Sequence, residues 1–238
     1  MRTTLTALVH GGPGAGKSRL CDTMPAPRLI LDSEGRAKHL PTESKVYWDP
    51  MKDAPPAAGD WELCIATVPN TTVLLQAYAW LGSGQHPFKS VAVDSLMEVQ
   101  KRTIDEVVGS NALQTQDWGT LLRRLELLVR QYRDLTLTPA TGVEVVIFTV
   151  GTQERDGKYH PLLQGQLRDT VPYYFDVVGY LYVTSDPETQ VLQRNLLVQP
   201  IGNFIAKEGT GKIHVPVVVN PRIDSIVEMM QANGGGAS

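Results

Sequence analysis

Residues 5–18 read Leu5-Thr-Ala-Leu-Val-His-Gly11-Gly-Pro-Gly-Ala-Gly-Lys17-Ser18, a short apolar run that leads into a complete GxxxxGK(S/T) pattern. Glycines at this spacing let consecutive backbone amides turn inward toward phosphate oxygens, and a helix opening directly after them presents its positive end. The pattern puts Lys17 at the β- and γ-phosphates and the Ser18 hydroxyl on Mg²⁺. Gly11, Gly12, Pro13, Gly14, Ala15, Gly16, Lys17, Ser18 and Arg19 are therefore the expected cradle for ATP. A glycine-rich turn with an incidental lysine would explain neither the strand-like run before it nor the helical Ser18-Arg-Leu-Cys-Asp22 after it.

Working outward, apolar runs bounded by turn residues recur at 5–9, 28–31, 45–48, 90–93, 144–150 and 177–183. Helix-patterned stretches separate several of them, the βαβ rhythm of a parallel sheet. The clearest helix is expected over 118–137, where Leu121, Leu122, Leu125, Leu128, Val129, Tyr132 and Leu135 recur at threes and fours opposite Arg123, Arg124, Arg130 and Arg133. Two more helices are expected over 71–81 and 96–108. After Val183 the pattern changes to hairpin-like segments at 190–199, 203–206 and 212–219, and a last helix is expected near 223–231. The fold class is α/β, with a mostly parallel central sheet flanked by helices and a C-terminal β-hairpin extension.

The 238 residues, 42% hydrophobic and 20% charged, suffice for one large domain, expected over 1–232 with a flexible tail at 233–238. A net charge of −3 provides no global basic field, so any nucleic-acid contact must come from a local patch. Cys21 and Cys64 lie far apart in no metal-ligand spacing, which argues against a zinc site or a disulfide framework and fits a reducing cytoplasm. No signal core and no membrane-length apolar stretch is present, so no membrane partner is expected.

Three candidates accompany the phosphate loop. Val91-Ala-Val-Asp94 is an apolar strand ending in an acid, the form of a Walker B element that orients Mg²⁺ with Ser18; a plain helix N-cap is the alternative for Asp94. Ser95 follows it, where AAA-type ATPases usually carry the glutamate that acts as base. Leu29-Ile-Leu-Asp32-Ser-Glu34-Gly35 runs a strand into two acids at the expected carboxyl edge of the sheet, where open α/β folds place ligands. Glu34 is there the candidate to polarise the attacking water, against the alternative of a solvated turn acid. Third, Val145-Val-Ile-Phe-Thr149-Val-Gly-Thr-Gln153 ends in small polar residues suited to sensing a γ-phosphate; Thr149, Thr152 and Gln153 remain open choices.

Together these residues resemble the RecA-type P-loop ATPase core, and more closely the short phage-encoded RecA-like ATPases associated with single-strand annealing. The resemblance runs from about residue 5 to 222 and includes Asp117-Trp-Gly119, Pro161-Leu-Leu-Gln-Gly165 and Tyr174-Phe-Asp176. It implies Glu34 as catalytic base, Lys17, Ser18 and Asp94 in their phosphate and magnesium roles, and a homo-oligomer, ring or filament, with ATP at the subunit interface. It also implies that Lys207, in Ala206-Lys-Glu-Gly-Thr-Gly-Lys212, pushes a cation into a neighbour's site. Gly209 there replaces an arginine common in the phage group, and a simple hairpin turn is the alternative. The segment matching the family's single-stranded DNA loop is 153–172, with Arg155, Lys158, Tyr159, His160 and Arg168 as DNA candidates. A single-strand-binding protein is a further implied partner, and the bacterial host cytoplasm the implied compartment. The function expected is ATP hydrolysis coupled to single-stranded DNA binding, annealing or strand exchange. A P-loop small-molecule or nucleoside kinase, and a non-hydrolysing nucleotide-gated module, are the alternatives.

Overall fold

The computed structural model describes residues 2–109, 111, 114–186 and 189–234. The first half of the chain forms β1 (Leu5–His10), α1 (Lys17–Cys21), β2 (Arg28–Asp32), β3 (Lys45–Tyr47), β4 (Leu63–Thr67), α2 (Thr71–Ser83), β5 (Ser90–Asp94) and α3 (Leu96–Val108). There follow α4 (Thr115–Asp134), β6 (Val145–Val150), the strands β7 (Thr152–Arg155) and β8 (Lys158–Pro161), α5 (Leu167–Thr170) and β9 (Val177–Ser185). The last part forms β10 (Leu192–Leu197), β11 (Lys207–Glu208), β12 (Val217–Val219) and α6 (Ile223–Gly234).

Seven strands pair in parallel in the order β9-β1-β6-β5-β2-β4-β3, and β10 and then β12 extend this sheet antiparallel beyond β9. The central strands β1, β2, β5 and β6 are buried along their whole length and mostly apolar because both faces are covered. Leu29 and Leu31 face the core beneath α2, α3 and α4, whereas Ile30 between them faces the core beneath α1 and α6. This is the expected α/β P-loop architecture, a mostly parallel sheet between helices with an antiparallel C-terminal hairpin.

The helix expected over 118–137 runs from Thr115 to Asp134, with a 3-10 turn at Leu135–Leu137. Gln114 and Asp117 close a capping box at its start. Its buried residues are Leu121, Leu125, Leu128, Val129 and Tyr132, and the Tyr132 hydroxyl donates to the Leu74 carbonyl of α2 at 2.7 Å. Two differences from the sequence reading bear on the site. The strand β4 lies in a stretch with no strand signal in the sequence, because Leu63-Cys-Ile-Ala is short and poor in β-branched residues. The segment 203–206 forms no hairpin with 212–219; it lies along β8, with the Tyr159 amide donating to the Asn203 carbonyl and the Ile205 amide to the Tyr159 carbonyl. The final helix extends through Gly234, and tail residues 235–238 lie outside the described residues.

Phe148 on β6 is fully buried and meets Tyr132 and Phe175 edge-on, with ring centroids 6.2 and 5.4 Å away. Phe148→Ala should cost about 3–5 kcal/mol of stability, read as a lower midpoint in urea with an unchanged slope.

Candidate nucleotide site

The carboxyl ends of β1, β2, β5 and β6 meet at one edge of the sheet. The loop leaving β1 passes so close to β9 that a Cβ on Gly11 would lie 2.3 Å from the Leu181 carbonyl oxygen, so only glycine fits there. Gly14 and Gly16 take φ of 76° and 100°, in the left-handed region that turns the loop amides inward. Lys17 folds back over the loop, its ammonium donating to the Gly11 and Gly12 carbonyls at 2.8 and 3.0 Å. Burial lowers the Lys17 pKa, and the nearby charges of Asp94 and Glu34 oppose that shift.

Asp94 ends β5 with both carboxylate oxygens occupied. One accepts from the Ser18 hydroxyl at 2.5 Å, the other from the Thr149 hydroxyl of β6. Burial raises the Asp94 pKa, while these two hydrogen bonds act to lower it. A hydroxyl beside a carboxylate is a hard-oxygen pair that suits Mg²⁺, a cation that keeps several waters and takes its remaining ligands from substrate phosphates. Ser18 and Asp94 are the residues that would hold it.

Strand register brings Glu34 to the same place, because Asp32 on β2 lies directly beside Asp94 on β5. The two acids expected after β2 divide their work. Asp32 builds the turn, accepting from the amides of Glu34, Gly35 and Ala37 at 3.0, 2.8 and 2.8 Å. Glu34 faces the cleft, accepting from the Ser95 hydroxyl at 2.6 Å and pairing with Arg36 at 3.4 Å. The Ser33 hydroxyl receives the Ser95 amide at 2.9 Å, tying the two strand ends together. The resulting cleft has a volume of about 500 Å³, within the range of small-ligand sites. Lys17, Ser18, Glu34 and Asp94 all line it.

Residues 3–210 match the AAA domain family. The chain belongs to that family. A search of curated proteins finds no match. Among solved structures, a KaiC-like protein from the hyperthermophilic archaeon Pyrococcus horikoshii OT3 is similar at 16% identity over 91% of this chain and 89% of its own, with a TM-score of 0.47. In this AAA domain, the serine after Asp94 donates to Glu34, so the carboxylate absent from position 95 is present in space from the neighbouring strand.

Of the three candidate sensor residues, Thr152 lines the cleft, Thr149 holds Asp94, and Gln153 turns its amide toward the Pro161 and Leu163 carbonyls at 3.4 Å. Residues 152–161, within the segment matched to a DNA loop, form the β7–β8 hairpin, whose turn residues Asp156 and Gly157 both have positive φ. Arg155 and Lys158 are exposed beside that turn. Tyr159 stacks on Phe204 at 4.8 Å, His160 is partly covered, and Arg168 pairs with Asp169 at 3.1 Å. Lys207 lies away from the cleft, its ammonium donating to the Phe175 carbonyl at 2.6 Å. Ser95, noted above for its place after Asp94, also lines the cleft, as do Arg36 and Arg194, which no sequence motif singles out.

His10, the last residue of β1, is fully buried. Its Nε2–H donates to the Ile205 carbonyl at 2.7 Å, and Nδ1 lies 3.1 Å from the Thr152 hydroxyl, which donates to the His160 carbonyl at 3.1 Å. Burial lowers its pKa from 6.5 to about 4. The unfolded chain therefore takes up this proton at higher pH than the folded one, so its contribution to stability is complete above pH 6.5 and is lost as pH falls toward 4. Over that interval the loss attributable to His10 should be about 3 kcal/mol. Urea titrations of the parent and His10→Gln from pH 7 to pH 4 should show the variant losing less stability by about that amount.

Proposed function

We propose that this AAA domain hydrolyses ATP with Mg²⁺ and couples the cycle to single-stranded DNA. The observation that carries the reading is the convergence of Lys17, Ser18, Asp94 and Glu34 on one cleft from three separate strand ends. In this reading Lys17 exchanges the Gly11 and Gly12 carbonyls for phosphate oxygens, and Ser18 and Asp94 serve the cation. Bound Mg²⁺ would offset the charge on the β- and γ-phosphate oxygens. Glu34 orients a water and accepts its proton as the water oxygen bonds to the γ-phosphorus. The bond from that phosphorus to the β–γ bridging oxygen breaks, and ADP leaves with the electron pair. Ser95 and Arg36 fix the Glu34 carboxylate, so its position needs no rearrangement at the moment of attack.

The DNA part of the proposal rests on β7. It begins at Thr152 in the cleft and ends at Arg155 beside the hairpin turn, so one short strand joins the nucleotide to two exposed cations. Phosphate neutralisation by Arg155 and Lys158, with Tyr159 next to Lys158 near the hairpin turn, fits a surface that follows a single strand. Annealing or strand exchange is the corresponding activity of the phage group that the sequence resembles. Assembly into a ring or filament, with Lys207 released from Phe175 to reach a neighbouring copy's ATP, belongs to the same proposal.

Glu34→Gln should lower kcat for ATP about 10²–10⁴-fold while ATP still binds. Lys17→Ala should lose binding itself. ATP turnover by Glu34→Gln at the parent rate would refute the assignment of the base. The double variant Arg155→Ala/Lys158→Ala should bind single-stranded oligonucleotide more weakly and reduce the slope of log affinity against log salt by roughly 1–2. Equal affinity and slope would remove the hairpin from the DNA reading.

A further inference from the structure

Arg194 enters the phosphate cleft from the antiparallel extension, far in sequence from every residue assigned to the site above. It sits on β10 opposite Val183 of β9. Its backbone is fixed on both sides by Asn220: the Arg194 amide donates to the Asn220 side-chain oxygen at 3.2 Å, and the Asn220 amide donates to the Arg194 carbonyl at 2.7 Å. From that anchor the side chain reaches across β9 and lies over the phosphate loop, so that a Cβ on Gly16 would stand 2.6 Å from its Nε and 3.1 Å from its Cδ. The contact is selective, since Gly12 and Gly14 have nothing within 4 Å of the same position.

The Arg194 Nε is buried without a hydrogen-bond partner. No acid pairs with this guanidinium among the described residues. A buried N–H of a cation left without an acceptor is costly, and an arriving anion removes that cost. The planar fork of a guanidinium matches phosphate oxygens in pairs, which an ammonium cannot do. Lys17 already satisfies itself on the loop carbonyls, whereas Arg194 has donors to spare beside the same loop.

We infer that Arg194 binds the polyphosphate of the nucleotide held in its own subunit. The inference rests on the nucleotide reading of the cleft and assigns to that site a cation from outside the parallel core. The antiparallel extension thereby becomes part of the nucleotide site, and the β9–β10 pair acquires a direct contact with the state of the phosphates.

The test is equilibrium binding of ATP and ADP by titration calorimetry, at several salt concentrations, for the parent, Arg194→Gln, Arg194→Lys and Lys17→Ala. Arg194→Gln should weaken both nucleotides about tenfold to a hundredfold, the range of a charge-assisted hydrogen bond, and make the salt dependence shallower. Arg194→Lys, which keeps the charge and most of the stem, should fall between the parent and Arg194→Gln. A merely structural role predicts instead a lower melting temperature or binding stoichiometry with the parent's salt slope, and that outcome overturns the inference. Parent-like affinity in Arg194→Gln overturns it too, provided Lys17→Ala has lost binding. If Lys17→Ala also binds normally, the nucleotide reading itself has failed.

Discussion

The carboxylate of Asp94 is the joint on which this site is built. One oxygen receives the hydroxyl of Ser18 from the phosphate loop, the other the hydroxyl of Thr149 from β6. The adjoining Ser95 amide is bound by Ser33 at the end of β2, and the Ser95 hydroxyl holds Glu34. A single buried acid and its neighbour therefore lock three strand ends and the loop into one register. Burial raises the Asp94 pKa, and the two hydroxyl donors and the Lys17 ammonium act against that shift. In the proposed function this carboxylate, costly to bury, serves as a ligand once a cation and phosphates arrive.

The placement of Glu34 follows from topology rather than from local sequence. Because β2 lies directly beside β5, an acid two residues past the end of β2 can stand next to an acid at the end of β5. Asp32 makes this possible by gathering three amides of the turn, so that the chain reverses tightly and the Glu34 side chain points into the cleft. With Glu34 as the proposed base, a serine at position 95 is no deficit, for its hydroxyl donates to that carboxylate.

Much of this was legible in the sequence. The phosphate loop is a local pattern, and its apolar strand, the acid-terminated β5 and the leucine stripe of α4 are periodic signals that survive without tertiary context. Glu34 and Asp94 were nameable because strand ends in α/β folds point to one edge. What could not be read has a common cause. β4 is a short run, buried from Leu63 to Ala66, whose Cys64 and Ala66 provide no alternation to detect. Arg194 reaches the loop only because β10 folds back along β9, and nothing near it in sequence announces the contact. The β7–β8 hairpin is a different case: Asp156-Gly157 between Arg155 and Lys158 is a strong two-residue turn signal, whereas the family resemblance implies a DNA loop over 153–172.

The most direct test of the account is a crystal structure with Mg²⁺ and a non-hydrolysable ATP analogue. The triphosphate should be wrapped by the amides of residues 11–18, with the cation on Ser18 and Asp94 and Glu34 within hydrogen-bond reach of a water facing the γ-phosphorus. An analogue bound elsewhere, or a filled cradle with Glu34 and Asp94 turned away from the terminal phosphate, would contradict it.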